Sequence, residues 1–559
     1  MRAVRLAAVP LGLIASLAIA ASASADSVAV TTTTDVGAGG ACELRDAITA
    51  VSTDATQNGC EPDLASGADT ITFDPALTGQ TIDLSMGELF VDDPDPLSIS
   101  GPGMNDLQVS AGGSSRAFHV ADGSSLSISG MTIRDGAPSG AASDRGGCLY
   151  GEGTESTLNL TDVRVTQCDI VLSLVASFDL FAEGAGIGSD GTLTLDHSLV
   201  DQNIASASSV GGPTDTTGAY ARGGAIYSGP EGSLTITDST ISDNIAAASD
   251  TGGGEVAATA GIHSFGQAQM YGSTVSGNSA SAVAHGTNLA PSRAAGGLAA
   301  LDVTSIERST FADNIADAVG SGVRIPAAGI YAPSHDLFLQ SSTIAFNGPT
   351  LGSENGVNLF VDGGGVTVSN SILADPRGGG DNCVNTGTLT SEGFNDDFSP
   401  AGASCGFGEA TDLSADPLLA DTVVGDLGGP TPTIGLQPTS PVIDAGFTDA
   451  NTDQRTFTRP VDFTGVPNAT GGNGTDIGAF EFQSTCTGQA LPDGPCPGGG
   501  GGGGGNPPAP PPPASTGKRH KALKKCRKIN PKKAKTKKAK KKKAKKRKKC
   551  IKRAKKLPV

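Results

Sequence analysis

One phrase recurs along the middle of this chain, and its recurrence limits the possible folds more than composition can. It reads S-L-S-I-S-G-M-T-I-R-D-G at 125–136, T-L-T-L-D-H-S-L-V-D-Q-N at 192–203 and S-L-T-I-T-D-S-T-I-S-D-N at 233–244. Looser copies follow as G-S-T-V-S-G-N (272–278), R-S-T-F-A-D-N (308–314) and S-S-T-I-A-F-N (341–347). The phrase closes on Asn203, Asn244, Asn278, Asn314 and Asn347, at spacings of 41, 34, 36 and 33 residues. A fixed phrase at an unfixed spacing means a constant coil with loops of variable length inserted into it.

Apolar residues alternate within the phrase, as at Leu234 and Ile236, so one face of each short strand points inward. Period two, with dense Gly, Ser and Thr, argues against helix. One such coil cannot bury its inward face, whereas coil stacked on coil buries it continuously. The fold class that follows is all-β: a right-handed parallel β-helix. The closing Asn tolerates left-handed backbone at a sharp turn, and its amide can hydrogen-bond to the Asn of the next coil. A ligand site seldom repeats on every coil, so a structural ladder is the favoured reading.

Upstream, the alternation shortens to Ile71/Phe73, Ile82/Leu84, Leu97/Ile99, Leu107/Val109 and Phe118/Val120, which read as the first coils. Before them Leu44, Ala47, Ile48 and Val51 form the stripe of a short amphipathic helix, placed to cover the open end of the stack. A chain of 559 residues exceeds one compact domain, which suits an elongated repeat. With 79 Gly, 5 Tyr and no Trp, its core must be aliphatic and its turns small.

The N-terminus has the form of an export signal: Arg2 and Arg5, an apolar run from Leu6 to Ala20, and Ala23-Ser24-Ala25 as cleavage site, with Asp26 starting the mature chain. No later stretch reaches the ~18 apolar residues of a membrane span, so the expected location is extracellular or at the cell surface. Ten cysteines in an exported chain read as disulfides, and their order suggests Cys42/Cys60, Cys148/Cys168, Cys383/Cys405, Cys486/Cys496 and Cys526/Cys550. There is no C-x-x-C and the 6 His do not cluster with cysteine, so no metal ligand or cofactor is assigned.

The net charge of −18 hides a division. Lys518–Lys556 holds 25 of the 39 basic residues and no acid; the remainder sets 14 Arg and no Lys against 57 acids, a net −43. Between the two lie a glycine run, Gly498–Gly505, and a nearly all-proline stretch, Pro507–Pro513, a flexible joint followed by a stiffer spacer. The tail cannot build a core and reads as disordered. Outside a cell such a cationic arm would bind anionic wall polymers, acidic lipid or nucleic acid.

Cys42-Glu43-Leu44-Arg45-Asp46-Ala47 resembles the C-S-L-R-E-A motif at the N-terminus of a family of exported bacterial β-helix proteins, with Glu43 and Asp46 in place of Ser and Glu. A second segment runs from Asn370-Ser371-Ile372-Leu373-Ala374 through Cys383, Cys405, Asp416-Pro417-Leu418-Leu419, Gly428-Gly429-Pro430, Ser440-Pro441-Val442-Ile443-Asp444-Ala445-Gly446, Asp453-Gln454-Arg455 and Arg459-Pro460 to Asp476-Ile477-Gly478-Ala479-Phe480-Glu481. It resembles the choice-of-anchor Q domain, found near the C-terminus of surface proteins ahead of varied attachment signals. Gly223-Gly224-Ala225-Ile226 and Phe311-Ala312-Asp313-Asn314 are similar to repeats of polymorphic outer-membrane proteins, adhesins whose C-terminal β-barrel is replaced here by the linker and basic tail. The organisation implied is a signal peptide at 1–25, a cap at 26–70, β-helix at 71–375, an anchor-type domain at 376–485, linker at 486–517 and tail at 518–559.

No residue is assigned to catalysis. Asp201, Asp243 and Asp313 recur near the turn and read as turn chemistry. Asp453, Arg455, Arg459 and Asp476 read as an ion-paired loop network. His119, His197 and His263 are expected at strand or turn surfaces. Two functions compete. One is a non-enzymatic surface protein, for display or adhesion, with a polysaccharide or other surface ligand on the coils and the basic tail tethered to anionic wall polymers. The other is a secreted carbohydrate-active enzyme, a polysaccharide lyase or glycoside hydrolase, working in an acidic groove. End-to-end self-assembly is disfavoured by the cap and the terminal domain.

Overall fold

The computed structural model describes residues 27–483, apart from 38, 63–66, 139–142, 176–177, 212–215, 286–289, 351–356, 403 and 464. The export signal, the linker, the basic tail and Cys486, Cys496, Cys526 and Cys550 lie outside the described residues. Among the described residues no helix is long and apolar enough to cross a membrane.

The chain folds as a right-handed parallel β-helix. The coil that begins at Thr192 shows the plan. Strand Thr192–Asp196 turns into Leu199–Asp201, which turns at Asn203 into Ile204–Ser209; Ala219–Arg222 and Ile226–Ser228 then lead back to Ser233–Thr237, one coil on. Thr192 lies opposite Ser233 and Leu199 opposite Thr240, in parallel register. The two phrase strands of every coil join one 21-stranded sheet, and the return strands make a narrow sheet of 10. Inward residues such as Leu193, Leu195, Val200, Leu234, Ile236 and Ile241 are fully buried or nearly so.

Among the described residues, most of the inserts between phrase and return hold strands. They run out and back as sheets of five and six strands, forming a fin along the stack. Its interior is almost wholly alanine, including Ala205, Ala207, Ala219, Ala221, Ala246, Ala248, Ala280 and Ala282. The signal was present as alternating alanine in I-A-S-A-S-S and S-A-S-A-V-A. Alanine fits a layer between two facing sheets too thin for larger side chains. The chain re-enters the body at Gly223-Gly224: Gly223 has φ +69°, and a Cβ on Gly224 would sit 2.5 Å from the carbonyl oxygen of Ile245.

Two buried polar ladders hold the turns. Asn203, Asn244, Asn278 and Asn314 each donate from Nδ2 to Oδ1 of the Asn one coil on, at 2.9 Å, and Asn347 does the same to Asn358. Each of those Oδ1 atoms also accepts the backbone N–H of the donor residue at 3.0–3.3 Å. Asn358 continues to Asn382, whose Nδ2 reaches Asp397 at 2.7 Å. The left-handed residue is the one before the Asn, at Gln202, Asp243, Gly277, Asp313 and Phe346, so the strained geometry expected of the Asn belongs to its neighbour. A parallel ladder at the first turn was not read from the sequence: Ser198, Ser239, Ser273, Ser309 and Ser342 each donate their N–H to the hydroxyl oxygen of the next coil's serine at 3.0–3.2 Å. Its signal was the Ser that recurs in each copy of the phrase from the second onward, where the first copy has Met131.

At the N-terminal end, strand Ser27–Val30 pairs with Asp69–Phe73, so stacking begins before residue 71. Helix Leu44–Ser52 buries Leu44, Ala47, Ile48 and Val51 over that end, and the Cys42–Cys60 disulfide fixes its base. Buried Glu43 accepts the amides of Val36 and Gly37, and Arg45 clasps Asp35 at 2.7 Å while donating to the Gly87 and Glu88 carbonyls. The motif residues are thus explained as a clamp. Disulfides Cys148–Cys168 and Cys383–Cys405 lie farther along the stack.

At the other end the coils continue past 375, with Cys383–Asn385, Thr388–Ser391 and Asp396–Phe398 pairing onto earlier strands. The segment beyond has no core of its own. Leu419, Ile434, Leu436, Val442, Ile443, Phe463, Ile477 and Phe480 pack with Ala312, Ala345, Ile372 and Ala374 of the coils. Gln454 reaches Thr310 and Thr274 at 2.6 and 2.8 Å, and Asn370 receives the amide of Phe447 at 2.9 Å. The expected boundary at 375 therefore falls inside one continuous fold.

Replacing Asn278 with Ala leaves the Asn244 backbone amide without its acceptor, removes one acceptor of the Asn244 side chain and one of the two donors to Asn314 Oδ1, and frees the Ile241 carbonyl. Leaving such buried groups unpaired costs about 1–3 kcal/mol each. Denaturant unfolding should show Asn278→Ala destabilised by about 3 kcal/mol, and an unchanged midpoint would refute a structural role for the ladder.

Candidate functional site

Chemistry-bearing side chains concentrate where the narrow sheet meets the fin. Parallel register places Phe90, His119 and Tyr150 in one outward column, followed after Gly188 by Tyr227 and His263, and after Ala299 by Tyr331 and Phe360. The fin adds Phe181 stacked on Tyr220, with ring centroids 4.8 Å apart. Cross-strand aromatic neighbours stabilise a sheet without any ligand.

Cations and acids roof this column. Glu183, its side chain 2% exposed, bridges Arg145 at 2.8 Å and Arg222 at 3.0 Å. Arg145 also binds Asp190 at 2.9 Å, and Tyr150 donates to Asp190 at 2.8 Å. The Arg222 guanidinium lies 4.4 Å from the Tyr220 ring centroid, and that of Arg145 lies 5.3 Å from the ring centroid of Tyr227. Burial pushes the Tyr150 and Tyr220 hydroxyls up to about 12, with nearby carboxylates adding to the shift, so neither is a base at neutral pH. His263 was expected at the surface but is buried between Tyr227 and Phe265, where burial, then Arg222, holds it well below the usual histidine range. The fin's cations cover a strand face that would otherwise be open.

The other described histidines are more exposed. His119 has its ring nitrogens 3.1 Å from Glu88 and 3.1 Å from Glu152. His197 sits on a left-handed turn with Asp196 and Asp238, three ligand atoms within 4.8 Å of one another. Asp196 faces Nδ1 at 3.0 Å and Asp238 faces Nε2 at 4.0 Å, so each acid addresses its own edge of the ring.

The recurrent acids do not form a catalytic pair. Asp201 is held by Arg164 at 2.7 Å, Asp313 by Arg377, and Asp243 occupies a left-handed turn with its carboxyl raised by burial and by Asp201. In the C-terminal segment Arg455 grips Asp453 at 2.6 Å, and fully buried Arg459 binds Glu481 at 2.9 Å and the carbonyls of Asp476 and Gly478. Asp476 accepts the amides of Asp444 and Phe482. These groups brace the loop and face no solvent.

One carboxyl in the last coil, that of Asp396, is strongly perturbed. Burial, with Asp397, Asp416 and Asp375 nearby, pushes it up to about 7 against a lowering amide from Ala415, and its Oδ2 has no partner. It is 0% exposed, so no substrate reaches it. Across the described residues, eleven arginines each lie within 3.5 Å of a carboxylate. The twelfth, Arg324, is engaged as well.

No protein-family model matches the chain, and no curated protein does. The motif resemblances at its two ends therefore rest on the quoted residues alone. Among solved structures the chain is similar to the pectate lyase Pel9A, at 10% identity and a TM-score of 0.35, covering 82% of this chain and 96% of that one.

Asp396 makes the fold sensitive to pH. Its folded value, about 7, stands above the ordinary 3.8, so its stabilising contribution is full below that ordinary value and is lost as pH rises through about 7. Asp396→Asn keeps the Ala415 hydrogen bond and removes the buried charge. At pH 8 it should raise unfolding stability by about 1–3 kcal/mol, and at pH 4.5 by much less. Equal effects at both pH values, measured by denaturant titration, would contradict the assignment.

Proposed function

We propose that this protein is a non-enzymatic surface protein whose coils act as a rigid anionic display scaffold and whose basic tail tethers it to anionic wall polymers. The single observation that supports this most is the state of the cations. Elimination chemistry on an acidic polysaccharide needs a basic residue that can take a proton. The body has no lysine before Lys518, and its described arginines are engaged, most of them by carboxylates. Hydrolysis needs two carboxyls facing one cleft, whereas Glu183 and Asp190 at the fin corner are held by arginine and Asp444, Asp453, Asp476 and Glu481 of the C-terminal segment are buried.

The division of charge supports the tether. A segment with 25 basic residues and no acid, joined through a Gly/Pro spacer to a body of opposite sign, suits attachment to a polyanion by many weak, salt-screened contacts. The export signal and the resemblance to anchor-bearing surface proteins agree with that placement. Membership in the C-S-L-R-E-A and choice-of-anchor Q families is part of this proposal.

Cells producing the full chain and a version ending at Cys496 should be fractionated into medium, wall and salt-washed wall. The full chain should stay with the wall and be released by about 1 M salt, where screening is nearly complete, and the shorter chain should appear in the medium. Wall association that survives high salt, or that the shorter chain retains, would overturn the tether.

A further inference from the structure

The outward face of the long sheet carries one aromatic ring in an otherwise polar column. Register aligns Asn159, Thr194, Thr235, Gln269, Ser305, Phe338, Thr367 and Thr390 on successive coils. Phe338 is 38% exposed, and its cross-strand neighbours Ser305 and Thr367 offer it no ring to stack on. Leu337 and Leu339 on either side point into the core, so the strand is in its proper register and the ring faces out by design of the pleat. A single exposed ring is ordinary on a protein surface, and what singles this one out is the polar hollow beside it.

The ring borders an open hollow of about 500 Å³. Glycine creates it. In the column next to Phe338, Gly365 stands between Asp336 and Thr388, and a Cβ there would lie 3.0 Å from the Asp336 carboxylate. The remaining lining is hydroxyl and carboxylate: Ser334, Asp336, Thr367, Thr388 and Thr390. No lysine or arginine lines it. An anionic ligand would meet only the charge of Asp336, and a purely apolar one would strand five polar side chains.

We propose that this hollow is a binding site for a neutral saccharide. One sugar ring would lay its C–H face on Phe338, with its hydroxyls donating to Asp336 and exchanging hydrogen bonds with Thr367 and Thr390. Uronic-acid polymers are excluded by charge. The proposal rests on the reading of the body as a ligand-displaying scaffold, and it is independent of how the chain is held to the wall.

The test is affinity electrophoresis of the full chain in gels containing soluble neutral polysaccharides (β-glucan, mannan, xylan, arabinan) or polygalacturonate. At least one neutral polymer should retard the protein and polygalacturonate should not. Phe338→Ala should weaken retardation at least about tenfold, the scale of a lost ring contact with its buried area, and Phe338→Tyr should retain it. Both changes lie on the surface, and an unchanged thermal midpoint will show that the coil is intact. Retardation by no neutral polymer, by polygalacturonate alone, or equally in Phe338→Ala would overturn the site. Failure here with salt-releasable wall binding intact leaves the tether standing, and the reverse result separates the two in the same way.

Discussion

A coil of a β-helix turns its backbone inward at each corner, and every inward N–H must find an acceptor where water cannot reach. Here the acceptor is supplied by the next coil, as Asn Oδ1 at one corner and Ser Oγ at the other. Because each ladder residue both gives and receives, no coil is satisfied by itself. Removing one rung strands groups on both sides, so the polar and the hydrophobic reasons for stacking act in the same direction. The ends need separate solutions: the helix Leu44–Ser52 at one, and Asp397, which takes the last asparagine and the amides of Ser404 and Cys405, at the other.

What could be read in the sequence followed from periodicity. Alternation over five residues gave the strands, and a residue type recurring at a fixed place in the phrase gave Asn203 to Asn347. The serine rungs were equally regular, but a Ser within a β-rich phrase looks like one more strand residue, and only the coil register shows its hydroxyl accepting from its neighbour. The fin was hidden for a different reason. Alanine carries little hydropathy signal, so I-A-S-A-S-S reads as a loop until two such strands are seen to face each other. The C-terminal segment has no regular strands and shares its core with Ala312, Ala345 and Ile372. No local pattern announces a core assembled from residues more than a hundred positions apart.

The same register separates structural chemistry from candidate recognition. At the fin corner, Arg145, Arg222, Glu183 and Asp190 satisfy one another over Tyr227 and His263, and the cluster is closed. Its geometry makes it a structural cluster. On the long sheet the opposite holds: Phe338 and its hydroxyl neighbours are plain in composition, yet they leave polar groups and a ring open to solvent. None of these residues forms a motif, and the relation among them arises only when strands on successive coils are laid side by side.

The two ladders make the coils one cooperative stack. Native-state hydrogen exchange reads it at the amides of Asn203, Asn244, Asn278 and Asn314, each donated to a side-chain oxygen of the next coil. These amides should exchange in the slowest class, with a common opening free energy equal to that of global unfolding. If they exchange at different rates, coil by coil and well below the global value, the ladders decorate the stack and do not hold it together.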